Sequence, residues 1–274
     1  MSSLFDPLHL RDLTIDNRLF LAPMCQYQCT GLDGVPTDWH LVHYGARAAG
    51  GFGLVIAEAT GVSPEGRITP WCTGLWNDAQ VAAWRRIVDF GHGQGAKMAV
   101  QLQHAGRKAS VYREFEPGKA GSVPLEDGGW ETVGPSPVPF PGLATPREAT
   151  DADLAKVTAD FAAAAVRADE AGFDAVELHA AHGYLLFQFL SPLSNQRTDG
   201  YGGDLAGRAR LLLEVTDAVR AAWPAGKPLL VRLSATEWTE GGFTVEDATT
   251  VAGWLGEHGV DLIDVSSGGN VIVK

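Results

Sequence analysis

The sequence predicts an α/β fold, a parallel β/α barrel, on three observations. Short apolar runs alternate with helical stretches along most of the chain. The runs are apolar on both faces, as parallel strands covered by helices must be. Polar residues recur at the C-terminal end of each run, where a barrel gathers its chemistry.

In chain order, residues 8–19 read as a β-hairpin, because β-prone stretches flank the turn-like Arg11-Asp12 and Asp16-Asn17 pairs. The alternation then begins: strand 19–22, helix 39–49, strand 54–57, helix 79–93 and strand 97–102. A loop rich in Gly and Pro follows over about 103–146. Helix 151–171 is expected to start on Asp151 as its N-cap and to end at Gly172. Strand 175–178, helix 205–223, strand 229–233, helix 245–259 and strand 262–265 complete six strands with five main helices between them. No repeat or low-complexity linker divides the chain, so one domain over 1–274 is expected.

An open doubly wound sheet is the competing architecture. It would place a Gly-rich turn after its first strand, with a helix starting at once to hold pyrophosphate. Nothing of the form G-x-G-x-x-G follows Leu21, and Gly50-Gly51-Phe52-Gly53 precedes a strand, which suits a helix end and a tight turn.

Composition narrows the partners. Of 274 residues 45% are hydrophobic and 20% charged, enough to bury a large core, and the net charge of -12 repels phosphate backbones and anionic lipids. Neither nucleic acid nor membrane is expected as a partner. No apolar run approaches the roughly 20 residues that cross a bilayer, and residues 1–10 lack signal-peptide features, so a cytoplasmic location is expected. Cys25, Cys29 and Cys72 are read as free thiols, because their spacing matches no common zinc site.

The strand ends carry the candidate chemistry. After the first come Pro23, Met24, Cys25, Gln26 and Tyr27, and after the second Glu58, Ala59 and Thr60. The third ends in Q-L-Q-H-A-G-R-K from Gln101 to Lys108, and the fourth in H-A-A-H-G-Y from His179 to Tyr184. His179 and His182 could bind a metal, with His104 as a further ligand, shuttle protons, or donate hydrogen bonds to a substrate oxygen. Arg232 interrupts an apolar strand, where an unpaired guanidinium would cost several kcal/mol. It needs either a bound anionic or polar group or an internal partner such as Glu177. Gln101 could offer a donor and an acceptor to a heterocycle.

Together with Ala22-Pro23-Met24-Cys25 and F-L-S-P-L-S-N-Q-R-T-D-G-Y-G-G from Phe189 to Gly203, these motifs resemble the old yellow enzyme family. Cys25 after Ala-Pro-Met points to its thermophilic-like branch, which includes the xenobiotic reductases. The resemblance implies a TIM barrel of the FMN-linked oxidoreductase type, reduced by NAD(P)H, that acts on activated alkenes. It implies that Pro23, Met24 and Cys25 line the flavin, that Ala59 and Gln101 bond its pyrimidine end, and that Arg232 sits beside N1 and the C2 oxygen. His179 and His182 would hold the substrate oxygen, Tyr184 would deliver a proton, and Tyr27 would contact substrate, with no metal. A homo-oligomer is expected.

The family pattern continues through two further strands that carry the phosphate-binding loops, so the chain is expected to be C-terminally incomplete, with about six of eight β/α units. Asn270-Val271-Ile272-Val273-Lys274 also departs from the family's continuation after Ser-Ser-Gly-Gly. Three readings follow: an ene-reductase, an impaired fragment or subunit of one, and a metal-dependent barrel hydrolase using His179 and His182.

Overall fold

The computed structural model describes residues 3–272; Val273 and Lys274, the end of the departing tail, lie outside them. A small hairpin comes first, β1 (Leu8–Leu10) against β2 (Leu13–Ile15). It is shorter than the 8–19 expected, because after Ile15 the chain bends over 16–18 before entering the first wall strand at Phe20. Six strands then form one parallel sheet: β3 (Phe20–Leu21), β4 (Leu54–Gly61), β5 (Lys97–Gln103), β8 (Ala175–Ala180), β9 (Leu229–Ser234) and β10 (Leu262–Ser266). Each strand pairs with its neighbour in chain order, with no reversal of the kind that makes a doubly wound sheet. The fold is an α/β barrel of the TIM type.

The connecting helices are α1 (Asp38–Ala49), α2 (Asp78–Gly93), α3 (Asp151–Glu170), α5 (Leu205–Ala222) and α6 (Val245–Glu257). Side-chain caps fix their starts: Asn77, Asp204 and Thr244 accept N–H bonds from the first turns of α2, α5 and α6. For α3 the cap is Thr150 rather than Asp151; the Thr150 hydroxyl and the Asp153 carboxylate close a reciprocal box, which leaves Asp151 inside the first turn. Two elements were not expected. The run Leu185–Leu190 forms α4, buried along its whole length, and the long loop holds a two-stranded parallel sheet, β6 (Val133–Gly134) with β7 (Arg147–Glu148).

The two faces of the sheet divide the labour. The outer face packs against the helices around Trp84, Phe161, Phe173, Leu211 and Val251. On the inner face Leu54, Ile56, Ala99, Ala175 and Leu230 pack with Leu8, Leu10 and Leu13, so the hairpin plugs the N-terminal end of the barrel. Because side chains alternate along a strand, the next inward positions are Gln101, Glu177, Arg232 and Asp264, then Gln103, His179, Ser234 and Ser266. The expectation of strands apolar on both faces therefore holds only for the lower layer. Above it the interior is polar.

Several strands run further than expected, which moves residues from loop to wall. Glu58, Ala59 and Thr60 belong to β4, and His179 belongs to β8. A bulge between Ala57 and Ala59 sets Glu58 out of register and brings Ala59 level with Gln101.

Candidate active site

The first wall of the site is the segment after β3. Its Gln26 N–H donates to Glu58 Oε2 at 2.9 Å, and Tyr44 of α1 donates its hydroxyl to Oε1 at 3.1 Å. Glu58 is fully buried, with His40 Nε2 3.2 Å from Oε1, so the displaced carboxylate clamps the segment to both β4 and α1. Tyr27 is left in the left-handed region at φ 53°, and its carbonyl accepts from Arg113 Nη1. Cys25 packs beside Ala59, Cys72 and Tyr184. Burial raises its thiol pKa well above the usual value, with Cys72 and Glu58 adding to the effect. The sulfur thus stays protonated, which makes it a poor nucleophile. Met24 is exposed, while Ala59 and Gln101 are buried side by side.

The second wall is the end of β8. The His179 and His182 rings meet edge to face at 5.1 Å between centroids, and Tyr184 lies against His179 at 4.9 Å. Burial pushes both imidazoles down, His182 to about 4, with Arg232 and Lys108 adding to the effect, so both are neutral near pH 7. His179 Nδ1 is buried with no hydrogen-bond partner. His182 differs: its Nε2 lies 2.6 Å from Ser266 Oγ, and its backbone N–H donates to Ser234 Oγ. Burial holds the Tyr184 phenol well above its ordinary pKa, so it keeps its proton. Lys108 stands 4.7 Å from the centre of that ring and donates to the carbonyls of His182 and Gly269.

Packing against β10 sets the position of His182. His182 itself has φ 57°, and Gly269, at φ 91°, comes so close that a Cβ there would lie 2.6 Å from His182 Cα. Gly269→Ala is therefore expected to destabilise the protein by about 2–3 kcal/mol and to displace His182. Gly253→Ala, on the open face of α6 where an added methyl meets nothing, is expected to stabilise it by up to about 1 kcal/mol. Denaturant midpoints of the two variants check the pair.

The floor lies between the walls. Arg232 Nε is 3.2 Å from Asp264 Oδ2, without an aligned hydrogen bond, and Nη1 makes a long contact of 3.5 Å to the Pro23 carbonyl. Its ion-pair partner is thus Asp264, level with it on β10, rather than Glu177. Glu177 instead accepts from Gln101 Nε2 at 2.8 Å, and its other oxygen has no partner. Burial, then Asp264, raises the Glu177 carboxyl to about 8.

His104 does not join the pair on β8. Its Nδ1 accepts from the Gly106 N–H, and among the described residues no group of three His, Cys, Asp or Glu is placed to hold a metal. All three cysteines are free. Sequence reasoning passed over Asp264 and the roles of Ser234, Ser266 and Lys108. A signal for Asp264 was present, because it stands two residues from Leu262 and two from Ser266 and so shares their inward face. Buried polar atoms without a hydrogen bond converge here from β8 and β9, at Glu177 Oε2, His179 Nδ1 and Arg232 Nε, the last held only by its ion pair with Asp264. Buried polar atoms ordinarily find partners, so the cluster fits a bound group rich in hydrogen-bonding atoms.

Fold and site define the class: a TIM-barrel enzyme with a polar ligand site at the C-terminal end of its strands. The model of the NADH:flavin oxidoreductase / NADH oxidase family matches residues 3–273. The NADPH dehydrogenase of Listeria innocua serovar 6a is 48% identical over 275 residues, covering 100% of this chain and 76% of that protein. Among solved structures, morphinone reductase in complex with tetrahydroNAD superposes at a TM-score of 0.82 with 33% identity, covering 96% of this chain and 73% of that one. The old yellow enzyme homologue from Zymomonas mobilis gives a TM-score of 0.82 at 33% identity, covering 96% and 72%. The chain belongs to the NADH:flavin oxidoreductase family and is a flavin oxidoreductase of the old yellow enzyme type, with FMN as cofactor and NAD(P)H as reductant. Among the described residues no helix is long and apolar enough to cross a membrane.

Proposed function

We propose that the chain is an ene-reductase, which reduces the activated C=C bond of α,β-unsaturated carbonyl or nitro compounds. The observation that supports the reading most is that His179 has both His182, at 5.1 Å, and Tyr184, at 4.9 Å, against its ring, beside a floor of buried polar atoms without hydrogen bonds. When bound and reduced by NAD(P)H, FMN would supply the hydride for the β-carbon of the alkene, in a ping-pong sequence.

Pro23, Met24 and Cys25 would line the flavin, and Ala59 and Gln101 would bond its pyrimidine end. Arg232, already paired with Asp264, would stand where negative charge gathers on reduction. His179 and His182 would donate neutral N–H groups to the carbonyl or nitro oxygen and draw electron density from the double bond. His182 must then exchange its Ser266 contact for the substrate or use its other nitrogen. Tyr184, which retains its proton, would deliver it to the α-carbon, and Tyr27 would touch the substrate from the opposite wall. The partners are small activated alkenes and, for assembly, further copies of the same chain.

Titration of the flavin-free chain with FMN, followed by visible absorption, tests the cofactor site. The expected result is a shifted, saturable yellow band that Arg232→Met weakens by about tenfold or more. Free FMN with an unshifted band at every concentration would contradict the reading.

A further inference from the structure

Glu177 is a carboxyl group that neither the hydride path nor the proton path uses, yet it lies at the centre of the floor. It is fully buried. One oxygen accepts from Gln101, and the other has no protein partner. A carboxylate holding a single hydrogen bond in such a place is poorly compensated, whereas the protonated acid leaves only a neutral O–H unpaired, a smaller cost.

Its surroundings do not supply a full counter-charge. Arg232 on β9 favours the ionised form but is already paired with Asp264 on β10, which opposes it. His179, two residues further along β8, is kept neutral by burial, and β5 offers only the Gln101 amide. If Glu177 is neutral, the floor holds one positive and one negative charge. If it is ionised, the floor gains an excess negative charge beside Gln101 and Arg232.

We infer that Glu177 is a neutral carboxylic acid beneath the flavin site and that its proton couples the potential of bound flavin to pH through Gln101 and Arg232. This rests on the flavin reading above. A hydride from NAD(P)H brings two electrons and one proton to the flavin, leaves NAD(P)+, and gives the ring a net negative charge. Where Glu177 is already ionised, that charge draws one further proton from solvent onto Glu177. Glu177 is thus a positioning residue that holds the Gln101 amide and sets the charge of the floor. It does not itself touch substrate.

The test is the potential of the FMN-loaded protein against pH, measured spectroelectrochemically for the native chain and for Glu177→Gln, which keeps the shape and the hydrogen bond to Gln101 but cannot ionise. The two lines are expected to run together on the acid side of about pH 8. On the alkaline side the native line should steepen by one proton per two electrons and fall below that of the variant. Parallel lines throughout would overturn the coupling.

Infrared spectra of the flavin-free chain at neutral pH give an independent measure, one that does not depend on flavin uptake. The native protein should show a protonated carboxyl band that Glu177→Gln lacks, and absence of the band would overturn the neutral acid. A chain that shows the band but takes up no FMN would overturn the flavin reading and the coupling with it, while leaving the neutral acid supported.

Discussion

Replacement of both His179 and His182 by Ala is expected to slow enone reduction by about 10²–10³-fold or more while leaving FMN bound. Both imidazoles are kept neutral by burial, and in the proposed reaction the substrate oxygen would gather negative charge as hydride arrives. Donors fixed in a buried site act more strongly there than water does, because they need no reorganisation. NAD(P)H would still bleach the flavin, so the loss should fall on the half-reaction in which alkene reoxidises it. Stopped-flow absorption under anaerobic conditions separates the two half-reactions, and full turnover in the double variant would remove both residues from the site.

The same histidines set an acid limit. The pKa of His182 is pushed from the usual 6.5 to about 4, so protons favour the unfolded chain. The stability that neutral His182 contributes is present above about pH 6.5 and is lost as pH falls through about 4. Unfolding midpoints measured downward from neutrality should show this loss, and it should be smaller in His182→Gln.

Tyr184→Phe is expected to slow reoxidation of the flavin by alkene by about 10²–10⁴-fold, with little change in its reduction by NAD(P)H. Burial holds the phenol in its acid form, so a proton is available on its hydroxyl beside His179, and the phenolate left after transfer, which burial disfavours, would be reprotonated from solvent. Phenylalanine keeps the ring contact with His179 and removes only the proton. An equal loss in both half-reactions would assign Tyr184 to flavin binding instead.

The barrel was legible because period and order were sufficient: short runs, helices between them, and polar residues gathered at one end. What the sequence concealed follows from local geometry. Leu185–Leu190 is apolar but for Gln188, which is buried as well, so it shows no amphipathic helical period, and its complete burial accounts for that. The bulge at Glu58 displaces one residue in β4, a shift that depends on pairing with β5 and leaves no mark in composition. Arg232 was recognised as needing a partner, but Glu177 and Asp264 both lie on neighbouring strands. Register decides between them: Asp264 is level with Arg232, while Glu177 is level with Gln101. His179 and His182 stood out by their spacing at a strand end, with Tyr184 two residues on, whereas the link from His182 to Ser266 depends on the pairing that brings the end of β10 beside β9 and β8.

The central claim is that this barrel passes hydride through FMN to an activated alkene. It is tested most directly by reducing the FMN-loaded chain anaerobically with NAD(P)H, adding 2-cyclohexenone, and following the flavin band and the products together. The band is expected to bleach and to return on addition of the enone, with one equivalent of cyclohexanone formed per flavin. A band that stays bleached, or that returns without saturated ketone, would contradict it.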